Sequence, residues 1–553
     1  MQGTRLGKVR AYWLGSVVCI GGFLFGYDSG IVGGVLTLES FQRDYGYTDA
    51  GATRTNSLSV GLQQLGAFVA CFLAWPLTDC LGRRKALMIS SLVFCVGALV
   101  QTIDTHSLAA FYVARVVAGL GLGTATVVVP MFSSEMTPKE IRGQIGSFFQ
   151  WFFTFGIFTS YWVSSFLATC HNPYVREVVS SICSPFLKRS HKLRLWDRPY
   201  PHCDQFLPIF VSNYFPGDLR ADSEMLQIDY GVALGPSNSR QWQIPIGLQL
   251  VPGALLGLGM LTLKESTRWL IKKGRHEEAL ESLRWIRADE SQAVIDEMED
   301  IRLGVEMEAR ATEGFRPREL LQGDNFKRVS AAFAIFAAQQ ATGATAFAYF
   351  GPQYFKLLVG SGNKGLLLTA IFGAIKVAAC GMFVLFVSER VGRRNVLIAG
   401  AAFMAACQIT TAAVVKAIPP PEQGNVTSSG IATVALIYLF VIAYNFSWGP
   451  MPWPYVAEIF PARIREPGVA VGVGSQWLFN FVFSLTTPYM MTNMGWGTFL
   501  LWGVFDVVIA VVAFFFLKET KGLSLEAIAH QNFKKGSSED DVINNKQNDE
   551  DPL

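Results

Sequence analysis

Asp79-Cys80-Leu81-Gly82-Arg83-Arg84-Lys85 and Glu389-Arg390-Val391-Gly392-Arg393-Arg394 are two copies of one charged element, an acid followed by Gly-Arg-Arg. Each copy continues in the same way. Glu135-Met136-Thr137-Pro138-Lys139-Glu140-Ile141-Arg142 follows the first, and Glu458-Ile459-Phe460-Pro461-Ala462-Arg463-Ile464-Arg465 follows the second, both reading Glu-x-x-Pro-x-x-x-Arg. Each then closes on a Lys-Glu pair just after an apolar span, Lys264-Glu265-Ser266 and Lys518-Glu519-Thr520. Charged elements repeated between apolar spans imply a membrane carrier built from two related halves.

The rest of the chain agrees with that reading. Apolar residues make up 51% and charged residues 16%, too greasy for a soluble protein of this length. Twelve apolar runs are long enough to cross a bilayer, at about 12–36, 57–77, 86–103, 108–132, 146–167, 242–263, 329–358, 364–388, 395–416, 431–457, 467–491 and 497–517. The expected fold class is therefore an all-α membrane protein with twelve transmembrane helices in two six-helix halves. Most spans contain Gly or Pro, which membrane helices tolerate because neighbours re-satisfy the backbone. Lys and Arg concentrate in alternate connections, so those connections, and both termini, are expected in the cytoplasm. The first span is too long and glycine-rich for a signal peptide.

The net charge of +3 predicts no partner, and no basic stripe for nucleic acid is present. The nine cysteines include no C-x-x-C pair and no metal spacing, so no metal site is expected. No nucleotide-binding loop or nucleophile constellation is present, so no enzymatic activity and no cofactor are expected.

Five regions divide the chain: a short N-terminus (1–10), a first half (11–263), a polar helical linker (264–325), a second half (326–518) and a tail (519–553). The linker, with its mixed charges, reads as a small cytoplasmic helical cap. The tail turns polar and acidic from about 530, a composition that favours disorder. The stretch from Val163 to Gln227 fits none of this: it holds six prolines and three cysteines and has no sustained period. Its Val-Ser start and Leu-Gln end are compatible with splice-site codons, so a retained intron is one reading and a genuine outer loop the other. Sequencing cDNA across codons 150–240 separates them.

Taken together, Gly21-Gly22-Phe23-Leu24-Phe25-Gly26-Tyr27-Asp28, the two Gly-Arg-Arg elements, Pro130-Met131-Phe132 through Arg142-Gly143, Glu265-Ser266-Thr267-Arg268-Trp269-Leu270, Gln339-Gln340-Ala341-Thr342-Gly343, Pro452-Trp453 through Arg465 and Glu519-Thr520-Lys521-Gly522 resemble the sugar porter family of the major facilitator superfamily, and fungal monosaccharide permeases in particular. The resemblance implies the major facilitator fold and import of a hexose or pentose by alternating access.

Asp28 stands out on physical grounds, because a carboxylate inside an apolar span is costly and usually faces a partner or a water-filled path. Arg115, inside the fourth span, is its natural partner. The resemblance implies that this pair is the proton-coupling switch, with the proton as coupling ion; a static buried pair and facilitated diffusion remain the alternatives. A sugar needs side chains that donate and accept hydrogen bonds, and an aromatic face for its C–H side. Gln150, Gln339, Gln340, Thr345, Gly449, Trp453 and Gln476 match family positions for sugar contact. Thr345 stands where family members usually have Asn, and Ile157 where some have Gln, which argues against ordinary high-affinity glucose recognition.

The charged repeats read as a cytoplasmic gate in which Asp79, Glu135, Glu265, Glu389, Glu458 and Glu519 pair with Arg83, Arg84, Arg142, Arg268, Arg393, Arg394 and Arg465, locking the halves together when the carrier opens outward and breaking when it opens inward; fixed inner-surface charge that sets topology is the alternative. Trp75 occupies a place where the superfamily motif often has Gly, so local packing is expected to differ. Asn425-Val426-Thr427 is a glycosylation sequon in an expected outer loop. The implied partners are a small-molecule sugar and the lipid bilayer, with the plasma membrane as the expected location. Rival readings are a sugar-acid or quinate-type permease, which would want an added pocket cation, a non-transporting nutrient sensor, and a non-functional product if 163–227 is translated within the carrier.

Overall fold

The computed structural model describes residues 5–138, 142–169, 239–359, 364–387, 391–419, 427–517 and 519. Every regular element among the described residues is helical. The first half comprises α1 (Arg5–Val35), a short α2 (Glu39–Asp44), α3 (Asp49–Leu81), α4 (Arg83–Thr102), α5 (Leu108–Met136), α6 (Arg142–Thr169), α7 (Arg240–Gly247) and α8 (Leu250–Leu261). The helices α9 (Thr267–Lys272), α10 (His276–Arg287) and α11 (Gln292–Thr312) form the linker. The second half comprises α12 (Gly323–Ala341), α13 (Ala344–Val359), α14 (Lys364–Met382), α15 (Arg393–Ala417), α16 (Ser428–Phe446), α17 (Pro452–Glu458), α18 (Arg465–Met494) and α19 (Gly497–Phe516).

Ten helical stretches among the described residues are long and apolar enough to cross a bilayer. The fifth crossing, α6, and the seventh, made of α12 and α13, bring the crossings among the described residues to the expected twelve. The outward faces carry unpaired apolar side chains such as Leu92, Val113 and Phe516, as a lipid-facing surface requires. Trp75 joins them at 66% exposure, so the bulk that replaces glycine is accommodated at the perimeter rather than in the helix contacts.

Two expected spans are broken. The seventh is interrupted at Thr342-Gly343, where Gly343 takes φ of +80° and any Cβ would lie 2.7 Å from the Trp502 ring. The tenth is interrupted at Ser447–Met451, between α16 and α17. Both breaks border the central cavity described below, where irregular backbone is tolerated in a membrane protein. Glycines also set the close approach of α1 to α6. A Cβ on Gly26 would lie 1.9 Å from the carbonyl oxygen of Phe153, and one on Gly156 would lie 2.1 Å from that of Phe23. Small residues at a membrane helix interface permit this contact.

Helix α6 persists to Thr169, so the irregular segment does not begin at Val163; Phe166, Leu167 and Ala168 continue the apolar helix. Residues 170–238, the tail beyond 519 and the sequon residue Asn425 lie outside the described residues. Where the chain returns at α7, Trp242 is buried against Phe41 and Tyr45 and donates its indole N–H to Asp44 at 2.8 Å.

The linker touches both halves. Arg10 of α1 donates to the Trp285 carbonyl at 2.6 Å, while Arg463 of the second half donates to the Ala311 carbonyl at 2.7 Å and to Glu319 at 2.9 Å. The Arg463 guanidinium holds the Glu319 carboxyl below its usual range.

Candidate functional site: a central cavity and a buried ion pair

Asp28 and Arg115 are both almost wholly buried, at 1% and 0% exposure, and Arg115 Nη1 donates to Asp28 Oδ1 at 3.0 Å. The Gln63 amide donates to the other carboxylate oxygen. Arg115 is further held by the Ser59 carbonyl at 2.8 Å and by Gln101 Oε1 at 3.3 Å. The pair thus lies inside the first half, among α1, α3, α4 and α5. Breaking such a pair by charge loss on one side leaves the other charge uncompensated. A proton delivered to Asp28 would have that effect on Arg115, which is what a coupling switch requires.

Asp28 is followed by Ser29, which lines a cavity between the two halves. The first half contributes Phe25, Phe149, Gln150 and Phe153; the second contributes Gln339, Gln340, Thr345, Tyr444 and Trp453, with Gln476, Trp477 and Asn480 from α18. The cavity therefore gathers Gln150, Gln339, Gln340, Thr345, Trp453 and Gln476 as the sequence reading expected. Gly449 is a correction: it does not line the cavity. Its carbonyl accepts from the Gln339 side chain at 3.0 Å, beside the Trp448 carbonyl at 2.8 Å, so its part is to hold Gln339. Ile157 is fully buried and packs against Gly26 rather than lining the cavity.

Three glutamine oxygens in this cavity, Oε1 of Gln339, Gln340 and Gln476, are buried with no hydrogen-bond partner. A buried acceptor left unmatched costs about 1–3 kcal/mol. Donor groups on a bound ligand would remove that cost.

The sequence reading missed several lining residues, and two matter chemically. Asn480 donates to Gln64 Oε1 at 3.4 Å and to the Tyr349 hydroxyl at 3.3 Å, linking the cavity to the helix whose neighbouring Gln63 holds Asp28. Lys376 of α14 is 2% exposed, with its ammonium 5.3 Å from the Phe153 ring centroid and 6.0 Å from that of Tyr444. Its signal was in the sequence, since Ala374-Ile375-Lys376-Val377-Ala378 places a lone cation inside an apolar span.

The charged end is organised within each half. Glu265 accepts from the backbone N–H groups of Arg83 and Arg84 at 3.0 and 3.1 Å, capping α4. Glu519 does the same for Arg393 and Arg394 at 2.9 and 3.2 Å, capping α15. The second arginine of each copy returns the contact to the carbonyls at the end of the last helix of its half: Arg84 to Met260 and Leu261, and Arg394 to Phe514 and Leu517. Arg83 pairs with Glu135 at 2.8 Å.

The gate pairings are expected to be broken while the carrier faces inward, and in this arrangement several of their members take other partners. Asp79 meets Lys273 at 3.2 Å and Lys272 at 3.8 Å rather than an arginine, and Arg268 meets Glu308 of the linker at 2.8 Å. Arg465 donates to the Phe460 carbonyl at 3.4 Å. The physical reason is proximity: linker helices and helix ends supply nearer partners than the opposite half. Glu389, and the side chains of Arg142 and Glu458, lie outside the described residues. No ion pair among the described residues joins the two halves directly at this end. At the opposite end the halves meet. The Thr53 and Thr492 hydroxyls are 3.2 Å apart, Ser57 donates to the Leu485 carbonyl at 2.5 Å, and Gln353 donates to that of Gly33 at 3.5 Å. The cavity is thus sealed by the half-to-half contact on the side away from the charged repeats.

Comparison with known proteins fits this geometry. The chain is similar to a quinate permease of Emericella nidulans, 29% identical over 538 residues covering 94% of this chain and 88% of that protein. It is 30% identical to a probable quinate permease of Aspergillus flavus, covering 94% and 87% of the two chains. Among solved structures, its fold matches the proton:xylose symporter XylE bound to 6-bromo-6-deoxy-D-glucose, with a TM-score of 0.67, 23% identity and coverage of 94% and 99%. A partially occluded inward open conformation of the xylose transporter XylE from E. coli matches with a TM-score of 0.68 at 22% identity, covering 93% and 100%. The family model described as "Sugar (and other) transporter" matches residues 14–186 and 225–531, so the unmatched part of the irregular segment narrows to 187–224. With both halves, the buried pair and the lined cavity falling inside that match, this integral membrane chain is a carrier, not an enzyme, and belongs to the sugar porter family of the major facilitator superfamily.

Proposed function

We propose that this carrier imports a ring polyol of monosaccharide size, a hexose or pentose in the first instance, by proton symport through alternating access. The observation that carries the reading is the set of three unpartnered glutamine oxygens facing one cavity beside Trp453 and Trp477. A sugar ring offers hydroxyl donors to the first and a C–H face to the second. Proton coupling is assigned to Asp28 and Arg115: protonation releases Arg115 from its partner, and the Gln63–Gln64–Asn480 connection carries the change towards the cavity. A protein of the same fold is a proton:xylose symporter, which supports coupling of substrate to protons here. The charged end and both termini are placed in the cytoplasm by the excess of Lys and Arg there, and the membrane is taken to be the plasma membrane. The charged clusters are assigned the gating role, with linker and half held as separate units while the cavity faces inward.

The test is uptake of labelled glucose, galactose, xylose and quinate by the full chain in cells lacking their own carriers, with and without a protonophore. Uptake that collapses with the protonophore is expected. Uptake indifferent to it would make the protein a facilitator. No uptake of any of the four, with protein at the surface, would bring an unusual substrate or a non-transporting sensor to the front. A second reading, a permease for a sugar acid or quinate-type compound, is favoured by the quinate permeases among its relatives.

A further inference from the structure

We infer that Lys376 is an anchor for a substrate carboxylate, so that the preferred cargo is an anionic ring polyol, a polyhydroxylated cyclic acid or sugar acid. The inference rests on the central cavity being the substrate site. A fully buried ammonium must be compensated, and compensation by a protein carboxylate is the usual solution. None is present among the described residues. The groups set against the Lys376 ammonium there are the faces of Phe153 and Tyr444 and the thiol of Cys380, one turn along the same helix. The buried acid nearest in role, Asp28, is already committed to Arg115 and Gln63. Aromatic faces attract a cation without neutralising it.

Position makes the charge useful to a ligand. Phe153 belongs to the first half, and Lys376 and Tyr444 to the second, so the ammonium lies at the seam where alternating access opens and closes. The same cavity presents the unpartnered oxygens of Gln339, Gln340 and Gln476. These accept hydroxyl protons but repel a carboxylate, whereas the ammonium attracts one. The cavity therefore sorts a hydroxy acid into one orientation, carboxylate towards Lys376 and hydroxyls towards the glutamines. A neutral sugar fills the glutamine side and leaves the cation uncompensated.

The experiment compares labelled quinate and labelled xylose in cells expressing the wild-type full chain, Lys376→Met or Lys376→Arg, with surface protein quantified for each. The wild type is expected to take up quinate with the lower KM. Lys376→Met is expected to raise the quinate KM about 10- to 100-fold, the scale of one charge-assisted contact, with xylose changed by less than about threefold. Lys376→Arg should retain most quinate uptake. An unchanged quinate KM in Lys376→Met overturns the inference. So does wild-type uptake of xylose without quinate, which would leave the ring-polyol reading standing. Uptake of neither by the wild type removes both. Should Lys376→Met fail to reach the surface, thermal unfolding of the purified wild type reads the same preference. Stabilisation by quinate well above that by the neutral ring polyol inositol supports the carboxylate anchor, and equal or smaller stabilisation overturns it.

Discussion

Asp28 is held at two oxygens by groups from two different helices, Arg115 Nη1 and the Gln63 amide, with no access to bulk solvent. A static pair of this kind and a switch make different predictions. Asp28→Asn keeps the shape and an acceptor for Arg115 but removes the titrating charge. Accumulation of substrate against a gradient is expected to be lost, while exchange of labelled for unlabelled substrate across the membrane continues. Loss of both, with the protein absent from the membrane, would mean that the pair serves only folding. Removing one member of a buried pair costs roughly 3–5 kcal/mol, so a downward shift in thermal midpoint should accompany the variant. The glutamines separate in the same way. Gln476→Ala and Gln340→Ala remove an acceptor whose oxygen has no protein partner. Each is expected to raise KM by about tenfold or more, from about 1–3 kcal/mol of lost ligand bonding, with little change in melting temperature. Gln339→Ala also removes the donor that ties the Trp448 and Gly449 carbonyls, and should lower stability as well as affinity. Asp28 and Arg115 were legible in the sequence because a charge is conspicuous inside an apolar span, whereas the glutamines were picked out by matching the family's sugar-contact positions. Gly449, matched by family position, meets Gln339 through its carbonyl, and a motif does not record whether a position acts by side chain or by backbone.

At the scale of elements, the duplicated Lys-Glu pair acquires a mechanical meaning. Helices α4 and α15 begin immediately after Gly82 and Gly392, and the carboxylates of Glu265 and Glu519 sit over their first N–H groups. An anion at a helix N-terminus meets unsatisfied N–H donors and the positive end of the dipole. A Cβ on either glycine would come within 2.4 Å of the capping carboxylate, so glycine is what lets the acid approach. Glu265→Ala and Glu519→Ala are each expected to destabilise the protein by about 1–3 kcal/mol. Because the two caps lie in separate halves, the double variant should be additive within about 0.5 kcal/mol. Thermal unfolding of the purified single and double variants measures this, and a strongly non-additive result would mean that the caps communicate. The element boundaries also show where span counting fails. The seventh and tenth spans read as continuous apolar runs, yet each is two helices, because Thr342-Gly343 and Ser447–Met451 leave the helix beside the cavity.

For the whole molecule, the two halves meet at the end away from the charged repeats. The Thr53 and Thr492 hydroxyls approach to 3.2 Å between α3 and α18. In an alternating-access cycle these ends must separate to admit substrate. A Thr53→Cys/Thr492→Cys double variant is therefore expected to lose uptake on oxidation and recover it on reduction, with each single variant unaffected. Oxidation that forms the cross-link yet leaves transport at the wild-type rate would exclude separation of these ends from the cycle.

The sequence by itself determined the membrane class, the two-half architecture and the candidate acid–base pair, because a bilayer makes a charge inside an apolar run expensive and therefore conspicuous; most of the polar cavity residues came from the family resemblance. Only the tertiary structure decided which partners the charges take. In this inward-facing arrangement the gate residues meet lysines, linker acids and helix ends, since several acids and bases lie within reach of one another along the charged end and sequence spacing does not rank their distances. It also decided that Lys376 faces the cavity rather than a helix contact, because one apolar span offers the same periodicity to lipid, neighbour and cavity. The side a residue faces is set by the helices packed around it.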